Sequence, residues 1–266
     1  MSAKVAVFQF PGSNCEYETM ESLNSVGLEA DIVSWSASES ELDSYSAYVL
    51  PGGFSFQDRV RAGVVSSKLP LIKHLIRFAD EGKPILGICN GCQILAETGL
   101  VPNSANSHNI EMALAPNMKH NDFYGFVCDW VYVKIDNPKK NIFTTAFSDN
   151  EVIPIQINHG EGNFRFSNPE KIQESTTTQI KYCDESGQVT DDVNPNGAMM
   201  NIAGLSNSKG NVLAMMPHPE RATFNYQVPR YLNHEAAETK RNAPSISEGP
   251  WQKLFLSLAN HLKGQH

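Results

Sequence analysis

Gly87-Ile88-Cys89-Asn90-Gly91-Cys92-Gln93 is the stretch on which the fold turns. It follows the short apolar run Ile85–Ile88 and leads into Ile94-Leu95-Ala96, so it reads as strand, tight turn, helix. Glycines stand two residues before and two residues after Cys89, the G-x-nucleophile-x-G elbow pattern. Such a turn leaves its neighbours no room for a Cβ. It also places Cys89 at the start of a helix, where unpaired N–H groups and the macrodipole favour a thiolate, the attacking form of cysteine. Three other readings compete: a buried structural thiol, a C-x-x-C redox pair of Cys89 with Cys92, and a zinc site. Zinc needs two more ligands, and the chain has no second C-x-x-C and no H-x-x-x-H. The paired glycines favour a single-cysteine elbow, with Cys92 a small residue packed beneath it.

Outward from the elbow, the first hundred residues alternate strand-like and helix-like segments. Lys4–Phe10 reads as a buried strand ending at Pro11-Gly12-Ser13, and Asn14 to Val26 as a helix ending at Gly27. Ala30–Trp35 and Ala47–Leu50 are further strands, the second stopped by Pro51-Gly52-Gly53. Leu69–Ala79 carries Leu69, Ile72, Leu75, Ile76 and Ala79 at helical spacing. This alternation predicts an α/β fold, a mostly parallel central sheet with helices on both faces and the elbow at the carboxyl end of a strand. The second half is richer in strands: Val127–Ile135, Val152–Ile157, Gln179–Cys183, Ile202–Leu205 and Val212–Met216. Asn103 to Asp122 reads as a polar loop, Phe224 to Pro250 as a covering loop, and Trp251 to Leu262 as an amphipathic helix. The organisation expected is one domain over 1–222 and an extension over 223–266 whose terminal helix packs back on it.

Met216-Pro217-His218-Pro219-Glu220-Arg221 follows an apolar strand. Each proline drives its predecessor into extended conformation, and in extended chain residues two apart point the same way. His218 and Glu220 therefore share a face. A histidine beside a cysteine takes and returns protons, and a carboxylate fixes its tautomer and supports its charge. Alone, the segment would read as a structural histidine in a proline-rich turn. With an elbow cysteine elsewhere, Cys89-His218-Glu220 is the better reading. Pro51-Gly52-Gly53 would let backbone N–H groups at a strand end approach an oxyanion, although Pro-Gly-Gly is also ordinary turn chemistry and alone a weak signal. Asn158-His159-Gly160-Glu161-Gly162 reads as a pocket loop or a hairpin turn.

Composition excludes several classes. The chain has 266 residues, 41% hydrophobic and 19% charged, which is too apolar for disorder. Lys plus Arg number 21 against 29 Asp plus Glu, a net charge of −8, which argues against nucleic acid or an anionic membrane as partner. No run suits a signal peptide or a membrane span, so a cytoplasmic protein is expected. Five cysteines, odd in number and unevenly spaced, make a disulfide framework improbable. Neither G-x-x-x-x-G-K-[ST] nor G-x-G-x-x-G is present, so no nucleotide cofactor and no metal is expected on this chain, and any ATP-driven step belongs to another polypeptide.

Together, the elbow, Pro51-Gly52-Gly53 and His218-Pro219-Glu220 resemble the class I (triad) glutamine amidotransferases, of flavodoxin-like fold. Further stretches resemble one branch, the glutaminase subunits of phosphoribosylformylglycinamidine synthases. They are Phe10–Cys15, Pro51–Phe56, Arg61-Ala62-Gly63, His159–Gly162, Asn194–Gly197 and Asn211–Arg221, in the expected order over roughly residues 4–222. Gln57-Asp58-Arg59-Val60, Asn103–Asp122 and the tail from Thr223 depart from the pattern. The resemblance implies Cys89 as nucleophile, His218 as general base and acid, and Glu220 as the orienting carboxylate. It implies an oxyanion hole from the N–H groups of Gly53 and Asn90, and glutamine contacts from Gln93, Asn158, Gly160 and Glu161, the last two through backbone. It also implies a synthetase large subunit as partner, with ATP and Mg bound there, and room for a further small subunit. Arg61, His159, Arg165 and Arg221 are candidates for the docking rim, each equally readable as an ordinary loop or surface residue. Two competitors remain: an amidotransferase serving another nucleotide or cofactor synthase, and a non-enzymatic, redox-sensing relative of the same fold.

Overall fold

A computed structural model describes residues 3–119, 122–123, 125–175, 177–232 and 247–264, together with Glu238. The core is a nine-stranded sheet in the order β2-β1-β3-β4-β13-β12-β11-β8-β9. Its first half comprises β1 (Lys4–Gln9), β2 (Glu29–Ser34), β3 (Ala47–Leu50), β4 (Ile85–Ile88) and β13 (Val212–Met215), all parallel neighbours. β1, β3, β4 and β13 are buried on both faces, which is why they read as continuous apolar runs, while β2, at the sheet edge, is only partly buried. From β13 onward, β12 (Ile202–Ser206), β11 (Gln179–Cys183), β8 (Val127–Asp136) and β9 (Val152–His159) pair antiparallel. The α/β architecture expected from the sequence is present, with a mixed sheet whose parallel half carries the elbow.

Strand order reverses between β1 and β3. Helix α1 (Glu16–Ser25) crosses from β1 to β2 in one direction, and α3 (Leu71–Asp80) crosses from β3 to β4 in the other. Right-handed crossovers in opposite directions place these helices on opposite faces of the sheet. Tyr48 of β3 stacks on Phe78 of α3, with ring centroids 4.5 Å apart, and on Phe8 of β1. The carboxyl ends of β1 and β3 meet across a bridge between Ser13 and Gly53, with the N–H of Phe54 donating to the Gly12 carbonyl over 2.9 Å. A crevice at such a switch point is where open α/β sheets bind ligands.

Asn103 to Asp122, expected as loop, contains β5 (Met112–Ala115) and β6 (Met118–Lys119). β5 pairs antiparallel with β10 (Asn163–Phe166), a strand the sequence did not disclose, and β6 pairs with β7 (Asp122–Phe123). β9 and β10 therefore do not form a hairpin around residues 160–162, because each pairs elsewhere. Two short helices, α2 (Glu39–Leu42) and α5 (Pro169–Gln173), complete the connections.

The last helix, α6 (Gln252–Lys263), buries Leu254, Phe255, Leu258 and Leu262 in the same core as the sheet. Trp251, at its N-terminal edge, is fully buried, donates from its indole N–H to the Pro154 carbonyl over 3.0 Å and packs on Phe147. Part of the segment expected as a covering loop, residues 233–246 apart from Glu238, lies outside the described residues. Trp251→Ala would leave a large cavity and an unpaired carbonyl. Urea unfolding should show a loss of about 3–5 kcal/mol in stability, and a loss under about 1 kcal/mol would mean that α6 is not part of the cooperative core.

Candidate active site

Cys89 stands between β4 and α4 (Asn90–Thr98) with φ 50° and ψ −104°, a strained conformation for a residue with a Cβ. The flanking glycines are what make it possible. A Cβ on Gly91 would lie 1.9 Å from the Leu50 carbonyl oxygen, and one on Gly87 would lie 2.7 Å from the Gly91 carbonyl oxygen. The helix start is thus pressed against β3 and β4 with no space to spare. Cys89 is nearly buried, and its Sγ lies 3.6 Å from the Asn158 carbonyl oxygen. Cys92 is fully buried and burial pushes its thiol up, which suits packing beneath the turn.

His218 and Glu220 come together as expected, but not along an extended chain: His218 is extended and Pro219–Arg221 is a single 3-10 turn that carries Glu220 back beside it. Both are buried, and His218 Nδ1 lies 2.6 Å from Glu220 Oε1. With Nδ1–H donating to the carboxylate, Nε2 is the ring atom left to exchange a proton, and it has no hydrogen-bond partner among the described residues. Burial pulls His218 down, but the Glu220 carboxylate, then the charge of Cys89, outweigh it and hold the imidazole well above its ordinary value. His218 is fixed to the sheet by its own N–H, which donates to the Gln156 carbonyl over 2.9 Å.

Behind this pair lies Cys15, whose Sγ is 4.0 Å from His218 Nδ1 and 3.3 Å from the Arg221 guanidinium. Cys15, His218 and Glu220 are the one group of three metal-type ligands found among the described residues. Two of its donors already bond each other, and a guanidinium rests on the third.

Gly53, Cys89, Gln93, Asn158, Gly160 and Glu161 line a common cavity of about 130 Å³. Gly53 has φ 148°, and a Cβ there would lie 2.7 Å from Ser13 Cα. Asn90 is the first residue of α4, so its N–H has no acceptor within the helix. The Asn90 side chain is a hub: Oδ1 accepts from the Ser55 N–H at 3.1 Å, and Nδ2 donates to Gln93 Oε1 at 3.0 Å and to Asp58 Oδ1 at 3.3 Å. Gln93 Nε2 donates to the Glu161 carbonyl over 2.8 Å.

Asn117, hidden in the stretch expected as loop, holds this corner together. Its Nδ2 donates to the His159 carbonyl at 2.8 Å, and its Oδ1 takes bonds from the Gly162 N–H at 2.9 Å and His159 Nδ1 at 3.2 Å. Asn196 adds a bond to the Gly162 carbonyl at 2.9 Å. Asp58, Phe54 and Phe126 also line the cavity without having been singled out as site residues. The signal for Asp58 was its place just after Pro51–Phe56; nothing in the sequence marked Asn117. Of the rim candidates, Arg61 makes a two-pronged ion pair to Glu97 and Arg221 contacts Cys15. His159 is buried and cannot serve as a rim residue, whereas Arg165 is exposed.

The sequence matches the family described as a CobB/CobQ-like glutamine amidotransferase domain over residues 2–262. The chain is therefore a glutamine amidotransferase. Within that class it belongs to the phosphoribosylformylglycinamidine synthase subunit PurQ family. It is 40% identical to the PurQ subunit of Methanothrix thermoacetophila over 98% of both chains, and 42% identical to that of Aquifex aeolicus over 83% of this chain and 91% of the relative. A chain in the solved structure of PurLQS from Thermotoga maritima is 30% identical and superposes with a TM-score of 0.75, covering 98% of this chain and 100% of its own length.

His159 offers a test of the site's electrostatics. Burial, then the charge of His218, lower it from 6.5 to about 3. Between those values the unfolded chain binds the extra proton and the folded chain does not. The neutral ring's contribution to stability is thus complete above pH 6.5 and is lost as pH falls towards 3, by up to about 1.4 kcal/mol per unit. In denaturant unfolding from about pH 7.5 down to about pH 4.5, the stability of the wild type relative to His159→Asn should stay level above pH 6.5 and then decline with that slope. A pH-independent gap would show that His159 is protonated in the fold.

Proposed function

We propose that this chain is the glutaminase subunit of a phosphoribosylformylglycinamidine synthase. It hydrolyses glutamine to glutamate and ammonia and passes the ammonia to a synthetase subunit, which uses ATP to convert formylglycinamide ribonucleotide to formylglycinamidine ribonucleotide. The observation that carries the chemistry is the fully buried His218–Glu220 pair beside an elbow cysteine that opens into a small cavity. The observation that carries the acceptor is 40% identity over nearly the full length of a PurQ subunit.

In this reading the Cys89 proton passes to His218 and the sulfur attacks the side-chain carbonyl of glutamine. Charge that develops on the carbonyl oxygen is met by the N–H groups of Gly53 and Asn90, fixed before the reaction by the crowded turn. His218 gives its proton to the departing nitrogen, ammonia leaves, and a γ-glutamyl thioester remains on Cys89. His218 then activates water, and glutamate is released. Glu220 holds the imidazole in its working tautomer and stabilises its charge. ATP and Mg act on the synthetase large subunit, and this chain requires no cofactor of its own. A further small subunit fits the same assembly. Ammonia in neutral water is mostly ammonium, which is no nucleophile, so transfer requires a dry path between the subunits. A pathway of soluble nucleotide intermediates suits the cytoplasm, and no helix among the described residues is long and apolar enough to cross a membrane.

Glutamate release should be low for the chain alone and rise sharply with the synthetase subunit from the same genome, loaded with formylglycinamide ribonucleotide and ATP. Cys89→Ala should lower the stimulated rate by roughly 10⁴-fold or more while thermal unfolding stays close to wild type. Release indifferent to that partner would reassign the acceptor. Release that survives Cys89→Ala would remove Cys89 from the mechanism.

A further inference from the structure

The two oxyanion donors of the proposed reaction come from different elements. The Asn90 N–H belongs to the first turn of α4, and the Gly53 N–H to the loop that leaves β3. Both must point at one oxygen, so the spacing of the two elements has to be held to within about 0.5 Å. On its far side the loop is fastened to the end of β1, by the Ser13–Gly53 bridge and by the Phe54 N–H on the Gly12 carbonyl. On its near side it is fastened to the elbow by one side chain. Among the described residues, both hydrogen bonds between residues 51–59 and α4 end on the Asn90 carboxamide.

The amide is placed one way round. Oδ1 accepts from the Ser55 N–H, two residues beyond Gly53, at 3.1 Å, while Nδ2 donates to Asp58 Oδ1 at 3.3 Å and to Gln93 Oε1 at 3.0 Å. A carboxylate in its place would lack the donor, and an apolar side chain would lack both groups. The bonds to Ser55 and Asp58 bracket a strained stretch. Phe56, Gln57 and Asp58 are successive left-handed residues, with φ of 53°, 61° and 51°. None is glycine, and such conformations disfavour residues with a Cβ. Freed at either end, this stretch can relax towards ordinary backbone and draw Gly53 with it. Ser55 is also braced from behind, where the fully buried Ser66 donates its hydroxyl to Ser55 Oγ at 2.8 Å.

We infer that the Asn90 side chain is a positioning residue: it ties the Gly53 loop to the elbow so that the two oxyanion donors keep one spacing, and Ser66 backs that tie through Ser55. This rests on the glutaminase reading and deepens it. The Asn90 N–H would meet the reacting oxygen, whereas the Asn90 side chain acts through the loop. Its effect belongs to the transition state, where charge develops on that oxygen, and not to the binding of glutamine.

Asn90→Ala keeps the backbone N–H and removes only the tie. In the full-length chain bound to its synthetase partner, loaded with formylglycinamide ribonucleotide and ATP, it should lower kcat for glutamate release by about tenfold or more. Outright loss of an oxyanion donor costs roughly 10²–10³-fold. KM for glutamine should change by less than about threefold. Alkylation of Cys89 by iodoacetamide, followed by mass spectrometry of its peptide, should keep the wild-type rate, because it needs the thiolate but forms no oxyanion. Damage to the elbow or to His218 would slow both reactions, so this split separates positioning from a merely structural role. Ser66→Ala, outside the cavity lining, should lower kcat by about threefold or more with the same split. An Asn90→Ala kcat within about twofold of wild type overturns the inference. So does a rise in KM at constant kcat, which would place the action of Asn90 at Gln93, or a parallel fall in alkylation. Should Asn90→Ala not fold, as judged by its thermal transition, Ser66→Ala is held to the same criteria. Failure of the wild-type complex to release glutamate would instead bring down the glutaminase reading itself.

Discussion

The contact on which the rest of the site depends is the pressing of the first turn of α4 against the end of β3, where a hydrogen on Gly91 occupies the space that any Cβ would need beside the Leu50 carbonyl. That approach fixes the angle at which the chain leaves β4 and confines Cys89 to φ 50° and ψ −104°. An isolated residue would relax from such a conformation at a gain of order 1–3 kcal/mol. It is retained because β4 is clamped between β3 and β13, and because the N–H of Cys89 itself donates to the Met215 carbonyl over 2.8 Å. The strand that anchors Cys89 is therefore the same strand that leads to His218. Two groups distant in sequence are positioned by one ladder.

The electrostatics follow from burial. A lone imidazole in the interior would be driven neutral, as His159 is. His218 is equally enclosed yet moves the other way, because Glu220 lies 2.6 Å from its Nδ1. Two histidines in one site thus have opposite tendencies: His218 is held towards the charged form, and His159 is a neutral support whose Nδ1 meets Asn117. The difference lies in the partner, a carboxylate in one case and an amide in the other. Arg221, next in sequence, sits over Cys15 and 4.0 Å from Glu220, so a cation lies at the back of the pair.

Much of this was legible in the sequence because it rests on rules of short range. Ile85–Ile88 and Gln179–Cys183 are bounded as the sequence suggests, and His218 is extended as the proline after it requires, although Glu220 meets it through a 3-10 turn over Pro219–Arg221. β5 and β10 were not legible: each has four residues, and they pair only with each other across a separation of about fifty residues, so neither shows enough periods to stand out. Asp58 was hidden for a different reason. Non-glycine residues at positive φ carry no local signature, and nothing in Phe56-Gln57-Asp58 announces a left-handed run. His159 read as a rim residue because loops after strands are usually exposed, but Gly162 admits its ring, with the nearest ring atom 2.3 Å from where a Cβ would stand.

The missed elements share a location, and that location explains them. The parallel half of the sheet carries Cys89 and leads to His218, whereas the cavity wall from Asn158 to Gly162 is held from behind through Asn117 and Asn196. These are side chains bonding to backbone, and they form only once three remote segments have come together. Chemistry at an elbow is encoded locally, since the turn must be correct before a thiol can react. The support behind the cavity wall is encoded by convergence, so Asn117 emerges only in the folded chain.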